Sequence, residues 1–199
     1  MMAGTVSIVS SIESDCAAPQ NVDDIDLRRD MDDLPQWRPS IVFTDASFLF
    51  ASMRSLELRA KVCALANSSR TNLSFADTLV YSNSLQKCLE STPDWSHPRA
   101  LQARTLLVLQ LRQLIIILNT TSAIETKPGT SSERRYAIIS LLENAAATVN
   151  LHTALTATSN LALCCSRSDY YRAALLVCHV AYYASRNQGT LSIAPGVCS

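Results

Sequence analysis

The sequence predicts an all-α fold, an irregular bundle or array of five to six helices preceded by an extended acidic segment. Three observations point there. Apolar residues recur at steps of three and four from Leu49 onward. Glycine is scarce, at 4 of 199 residues, which counts against a turn-rich all-β fold and against glycine-loop nucleotide motifs. Apolar residues make up 48%, enough to bury a core and too many for a chain disordered over most of its length.

The formal net charge is zero, but it is unevenly spread. Residues 13–33 hold eight carboxylates against Arg28 and Arg29, a net of −6. The other positions hold 15 Lys/Arg and 9 Asp/Glu, a net of +6. Residues 1–40 therefore read as an acidic head, extended or partly disordered and solvated by its own charge. Residues 41–187 read as the helical body, and 188–199, with Gly189, Pro195 and Gly196, as a frayed tail. Only 17% of residues are charged, against about 25% in a typical soluble domain. Without a basic field of its own, the chain is not expected to bind DNA directly.

The helices follow in order. Thr44 is placed to cap a first helix, with Asp45 at its positive end. Leu49, Met53, Leu56, Ala60 and Cys63 give it one apolar face over five turns, with Phe48 alongside. Thr71 is placed to cap a second helix carrying Leu73, Ala76, Val80, Leu85, Cys88 and Leu89. Pro93 and Pro98 punctuate a loop. The third helix runs from about Pro98 to Asn119 and leaves no polar face in its second half, which suits a central position. Gln102, Arg104, Gln110, Arg112 and Gln113 interrupt its apolar run, so it reads as a buried helix and not as a membrane span. A loop is expected over 120–130. A fourth helix starts near Ser131 with the stripe Ile138, Leu141, Leu142, Ala145, Val149 and His152. Thr153, Thr156 and Thr158 weaken its continuation towards Cys165. Ser168 and Asp169 then cap a last helix with the stripe Tyr171, Ala174, Leu175, Cys178 and Tyr182.

Candidate chemistry is sparse. Of seven cysteines none is paired as C-x-x-C, and free thiols on apolar stripes in a reducing compartment fit best. Cys164, Cys165, Cys178 and His179 come nearest to a ligand set, but adjacent residues on a helix splay by 100°, so no metal site is expected. His152 and His179 read as satisfied, partly buried imidazoles. No nucleophile elbow, Walker loop or zinc-protease motif is present. No catalytic residue, cofactor-binding residue or cofactor is therefore assigned, and the chain is not expected to be an enzyme. The Asn-x-Ser/Thr triplets at Asn67, Asn72 and Asn119 carry no weight without a secretory route, and Met1–Ser11 has no signal-peptide character.

One stretch is more specific. The run from Pro19 through Asn21, Asp24 and Asp26 to Leu27 is followed by Asp30-Met31 and Pro35, and then by Phe43-Thr44 and Phe48. This order resembles the middle regulatory region of fungal zinc-cluster transcription factors, whose members carry a P-x-N-x-x-D-x-D phrase and then D-M-x-x-x-P. Met53–Lys61 resembles the family's Arg- and Leu-rich helix, and Leu111–Leu118 its central apolar helix. Leu142 through Ala145 and Ala146 resembles its C-x-x-A-A helix, with Leu142 in place of Cys. The resemblance spans about residues 17–186.

Two departures matter. Asn119-Thr-Thr121 stands where the family has a His-Arg-Pro-like turn, and the six-cysteine cluster that binds zinc and DNA is absent from this sequence. The resemblance implies a nuclear, all-α regulatory domain working through protein contacts, self-association or a small-molecule effector, with zinc expected only in members that carry the cluster. It also implies an interior, incomplete piece of a regulator. A helical scaffold or adaptor unrelated to transcription is the alternative, and a small-molecule enzyme the third reading.

Overall fold

A computed structural model of the chain describes residues 17–27, 35–68, 73–97, 99–124, 131–157 and 167–186. Those residues form six α-helices and no strand. They are α1 (Ser47–Met53), α2 (Leu56–Asn67), α3 (Phe75–Glu90), α4 (Ala100–Ile124), α5 (Ser131–Ala157) and α6 (Arg167–Arg186). The all-α class read from the sequence is the observed one. Thr71, Asp30, Met31, Cys164, Cys165 and the tail from residue 187 lie outside the described residues.

α4 is the centre. It packs against α1, α2, α3 and α5, and α6 packs on α5. Leu107, Leu111, Leu114, Ile115 and Leu118 of α4 meet Val62 of α2 and Leu85 of α3 in one buried cluster. The Ala100–Thr120 stretch is long and apolar enough to cross a membrane, and four of its leucines, Leu107, Leu111, Leu114 and Leu118, lie in this cluster. Burying each such side chain contributes about 1.5–3 kcal/mol relative to leaving it in water.

The sequence predicts one helix from Thr44 to Cys63, but the structure breaks it at Arg54 and Ser55. The Ser52 carbonyl accepts from the Ser55 amide and hydroxyl, both at 3.2 Å, and from the Arg59 guanidinium at 2.9 Å. Serine side chains compete for backbone groups in this way and interrupt helices. The buried line is also turned in part. Phe48 and Cys63 of the predicted face do pack on the core, joined by Ala51, Leu58 and Val62, whereas Leu49 is 57% exposed.

α3 starts at Ser74. Its hydroxyl accepts from the Asp77 amide at 3.1 Å, and the Asp77 carboxylate accepts from the Ser74 amide at 3.3 Å. This reciprocal box satisfies two donors that would otherwise be orphaned at the helix start. The buried face of α3 is Thr78, Ser82 and Leu85, with Val80 exposed, so the stripe read through Ala76 and Val80 is corrected.

α4 does not end at Asn119. Asn119 Nδ2 donates to the Ile115 carbonyl at 2.9 Å and Thr120 Oγ1 to the Ile116 carbonyl at 2.7 Å, so both side chains fold back on the helix, which continues to Ile124. Asn119 is fully buried, where no glycan could reach it. In α5, Thr148, Thr153 and Thr156 bond back to the carbonyls four residues earlier, and the expected weakening before Ala157 does not occur. Leu141, Ala145 and His152 are buried as the stripe predicts, joined by Ala137, Asn144, Thr148 and Leu155.

α6 presents the opposite face from the one predicted. Tyr171, Leu175, Cys178 and Tyr182 are exposed and Ala174 is half-buried, while Ala173 is the buried residue among the described side chains of α6. Cys63 and Cys88 are free thiols, half-buried against the core, and Cys178 is a free, exposed one.

Candidate functional site

The acidic head is built around one buried amide. Val22 and Asn21 leave solvent while Pro19 stays exposed, and Asn21 becomes the hub. Its Nδ2 donates to the carbonyls of Arg38, Pro39 and Val42 at 3.0–3.2 Å. Its Oδ1 accepts from the hydroxyls of Thr44 at 2.7 Å and Ser47 at 2.9 Å. The Arg38 amide in turn donates to the Asn21 carbonyl at 2.8 Å. An amide side chain has donors and an acceptor together, and here both ends are used, which is what burial of such a group requires.

The neighbouring carboxylates close the clasp. Asp24 donates its amide to the Asp45 carboxylate at 3.4 Å, and Asp45 donates its amide to the Asp23 carboxylate at 3.1 Å. Arg38 bridges Asp23 and Asp26. Asp45 also receives Arg99 at 2.8 Å, which ties the head to the start of α4. Trp95 Nε1 donates to the Ser40 carbonyl at 2.9 Å, while Phe43 packs on Trp95 and stacks on His97. The loop before α4 therefore closes over the head.

The structure thus brings Asn21, Asp24, Asp26 and Thr44 into one clasp, with Asp26 and Pro35 lining an open groove beside it. Phe48 packs against the core cluster from α1. Ala145 and Ala146 sit on α5, Ala145 fully buried and Ala146 half-buried, as helix-packing residues. Thr44 is not the cap residue of α1. Its amide donates to Ser47 Oγ at 2.7 Å and its hydroxyl serves Asn21. Asp23, Arg38, Ser47 and Arg99 were not picked out by sequence. Arg38 is the first cation after the acidic run, the one available signal.

A second polar cluster lies between α5 and α6. His152 is 3% exposed, its Nε2 has no hydrogen-bond partner, and its ring meets Tyr170 edge-on at 5.4 Å. The imidazole expected to be satisfied therefore leaves Nε2 unpaired, and His179 lies on the exposed side of α6. Burial lowers the His152 pKa, with the Asp169 charge opposing it. Burial raises the Asp169 pKa, opposed by Arg172 and His152.

The signs separate the two groups. A lowered histidine pKa means the unfolded chain takes up a proton first, so this contribution to stability is lost as pH falls below about 6.5. A raised Asp169 pKa acts the other way, and its contribution is lost as pH rises from about 3.8. The melting temperature should therefore fall between about pH 7.5 and pH 5.5 in the wild-type chain, and fall less in His152→Leu. Equal slopes in thermal melts at the two pH values would count against this.

Among the described residues no three His, Cys, Asp or Glu side chains are grouped to hold a metal ion. A cavity of about 20 Å³ between α1, the end of α3 and α4 has room for about one water.

Comparison with known proteins gives two distant similarities. The chain is 28% identical over 90 residues, 45% of its length, to Transcription factor phm2 of Pyrenochaetopsis sp. It is 28% identical over 123 residues, 58% of its length, to Transcription factor lepE of Aspergillus flavus. The chain is distantly related to fungal transcription factors. It spans only 12% and 14% of the lengths of these two relatives. No family model and no solved structure matches it.

Proposed function

We propose that this chain is a regulatory domain of the fungal transcription-factor type, acting in the nucleus through protein contacts or a bound effector. The observation that carries the reading is the similarity to two fungal transcription factors over 90 and 123 residues. Two physical features agree with it. The P-x-N-x-x-D-x-D phrase is a folded clasp whose hub holds five hydrogen bonds, so it serves architecture and presents surface. His152 is buried between helices at 3% exposure, as a packing residue would be. The domain does not read DNA and holds no zinc of its own.

The test is a deletion in the host fungus with a fluorescent fusion of the full chain. A nuclear fusion and a changed set of transcripts are expected. A cytosolic fusion with unchanged transcripts would instead identify a helical scaffold. Sequence-specific DNA binding by the purified chain at physiological salt would overturn the statement that it does not read DNA.

A further inference from the structure

We infer that the clasped head carries a docking surface for a basic, amphipathic segment of a partner protein. The inference deepens the regulatory reading and rests on it for the existence of a protein partner. The surface is an open groove of about 670 Å³ lined by Ile25, Asp26, Pro35, Trp37, Arg38 and Pro39. Ile25 is 82% exposed and Trp37 is 61% exposed. Leu27, directly after Asp26, and Ile41, two residues beyond Pro39, are exposed as well. Large apolar side chains left this open in one place mark an interaction site.

The groove is held ready. Its two walls are joined by Arg38, which donates to Asp26 at 2.7 Å and pairs with Asp23, and by the Asn21 amide on the Arg38 and Pro39 carbonyls. A surface ordered before binding loses less entropy on association.

The chemistry of the occupant follows from shape and charge. The groove is too open to enclose a small molecule, which normally buries most of its surface in its pocket. An apolar helix face laid along it would cover the exposed rings and methyls. Asp23, Asp24 and Asp26 against Arg38 leave a net of −2 among the described residues beside the groove. Lysines or arginines flanking the apolar face of the partner complement that charge. A second copy of this chain and an acidic partner are the competing occupants.

The experiment uses the full chain and a fluorescein-labelled 18-residue Leu/Lys amphipathic peptide, with a Leu/Glu peptide of the same pattern as control. Trp37 is one of two tryptophans, and the other, Trp95, is 7% exposed, so acrylamide quenching reports on Trp37. The Leu/Lys peptide should bind by anisotropy and shield Trp37, and the Leu/Glu peptide should not. Ile25→Ser and Trp37→Ala should each weaken binding about tenfold. Val80→Ser, on the exposed side of α3, should leave it unchanged. Equal binding by Ile25→Ser and Trp37→Ala, or by the Leu/Glu peptide, would overturn the inference. So would a dimer in sedimentation whose Trp37 is shielded before any peptide is added. Transcripts that change on deletion without selective peptide binding would sink the docking surface alone. Selective binding without a transcript effect would sink the regulatory reading alone.

Discussion

An Asn21→Asp chain is expected to lose about 3–5 kcal/mol of stability, the range for leaving a buried charge unpaired. The substitution keeps the shape and exchanges a donor for a second acceptor. In the native clasp Nδ2 faces three carbonyl oxygens, of Arg38, Pro39 and Val42. A carboxylate oxygen there would meet three acceptors with no proton between them. Only the Thr44 and Ser47 hydroxyls could still donate to it. Each buried group left without a partner costs about 1–3 kcal/mol, so three stranded carbonyls and one charge reach the stated range. In a chain of this size that corresponds to about 6–20 °C in melting temperature.

Hydrogen exchange should report the same event locally. The amides of Arg38 and Ala46, which donate to the Asn21 and Val22 carbonyls, should exchange faster in the variant. Asp24→Asn is the matching control. Asp24 is exposed and contributes its backbone amide to Asp45, so the variant should melt within about 1–2 °C of wild type. An Asn21→Asp chain that melts with that control would show that the clasp does not hold the head.

Helices were legible because apolar periodicity is a local signal. α4, α5 and α6 fall close to where the spacing of Leu, Ile and Ala places them. Which face is buried was less legible. In α6 the bulky stripe Tyr171, Leu175 and Tyr182 faces out and Ala173 faces in, because a small residue allows α5 to approach closely. A count of apolar bulk favours the tyrosines, whereas packing distance favours the alanine. The same choice placed Ala137 and Ala145 at zero exposure on α5.

The break between α1 and α2 depends on Arg59 reaching back to Ser52, a side-chain contact that no periodicity encodes. The clasp was legible only as a phrase. Asn21 meets Arg38, Thr44 and Ser47 across 17 to 26 residues, and local spacing cannot join positions that far apart. What made Asn21 conspicuous was its place in a phrase that resembles one in fungal zinc-cluster transcription factors. What makes it matter physically is that it can give and accept hydrogen bonds at once.

Leu111→Ala should be the most damaging truncation in the bundle. Leu111 is 1% exposed at the midpoint of α4, within the cluster formed with Val62, Leu85, Leu107 and Ile115. Removing its isobutyl group forfeits its transfer energy and opens a cavity among side chains held by three different helices. Such sites relax poorly, and buried leucine truncations cost about 2–5 kcal/mol. Urea unfolding should show a lower midpoint with an unchanged slope, because the surface exposed on unfolding is nearly the same. Leu101→Ala, on the 39% exposed first turn of the same helix, should cost under about 1 kcal/mol. The contrast between the two tests the position of α4 itself. A membrane-spanning helix would place both leucines against lipid and make their truncations similar, whereas a central helix makes them differ by at least about 1 kcal/mol. It also bears on the head, since Arg99 at the start of α4 holds Asp45 of the clasp. A disturbed α4 should therefore speed exchange at the Asp45 and Ala46 amides, which donate to Asp23 and Val22, and an unaffected head would show that clasp and bundle unfold independently.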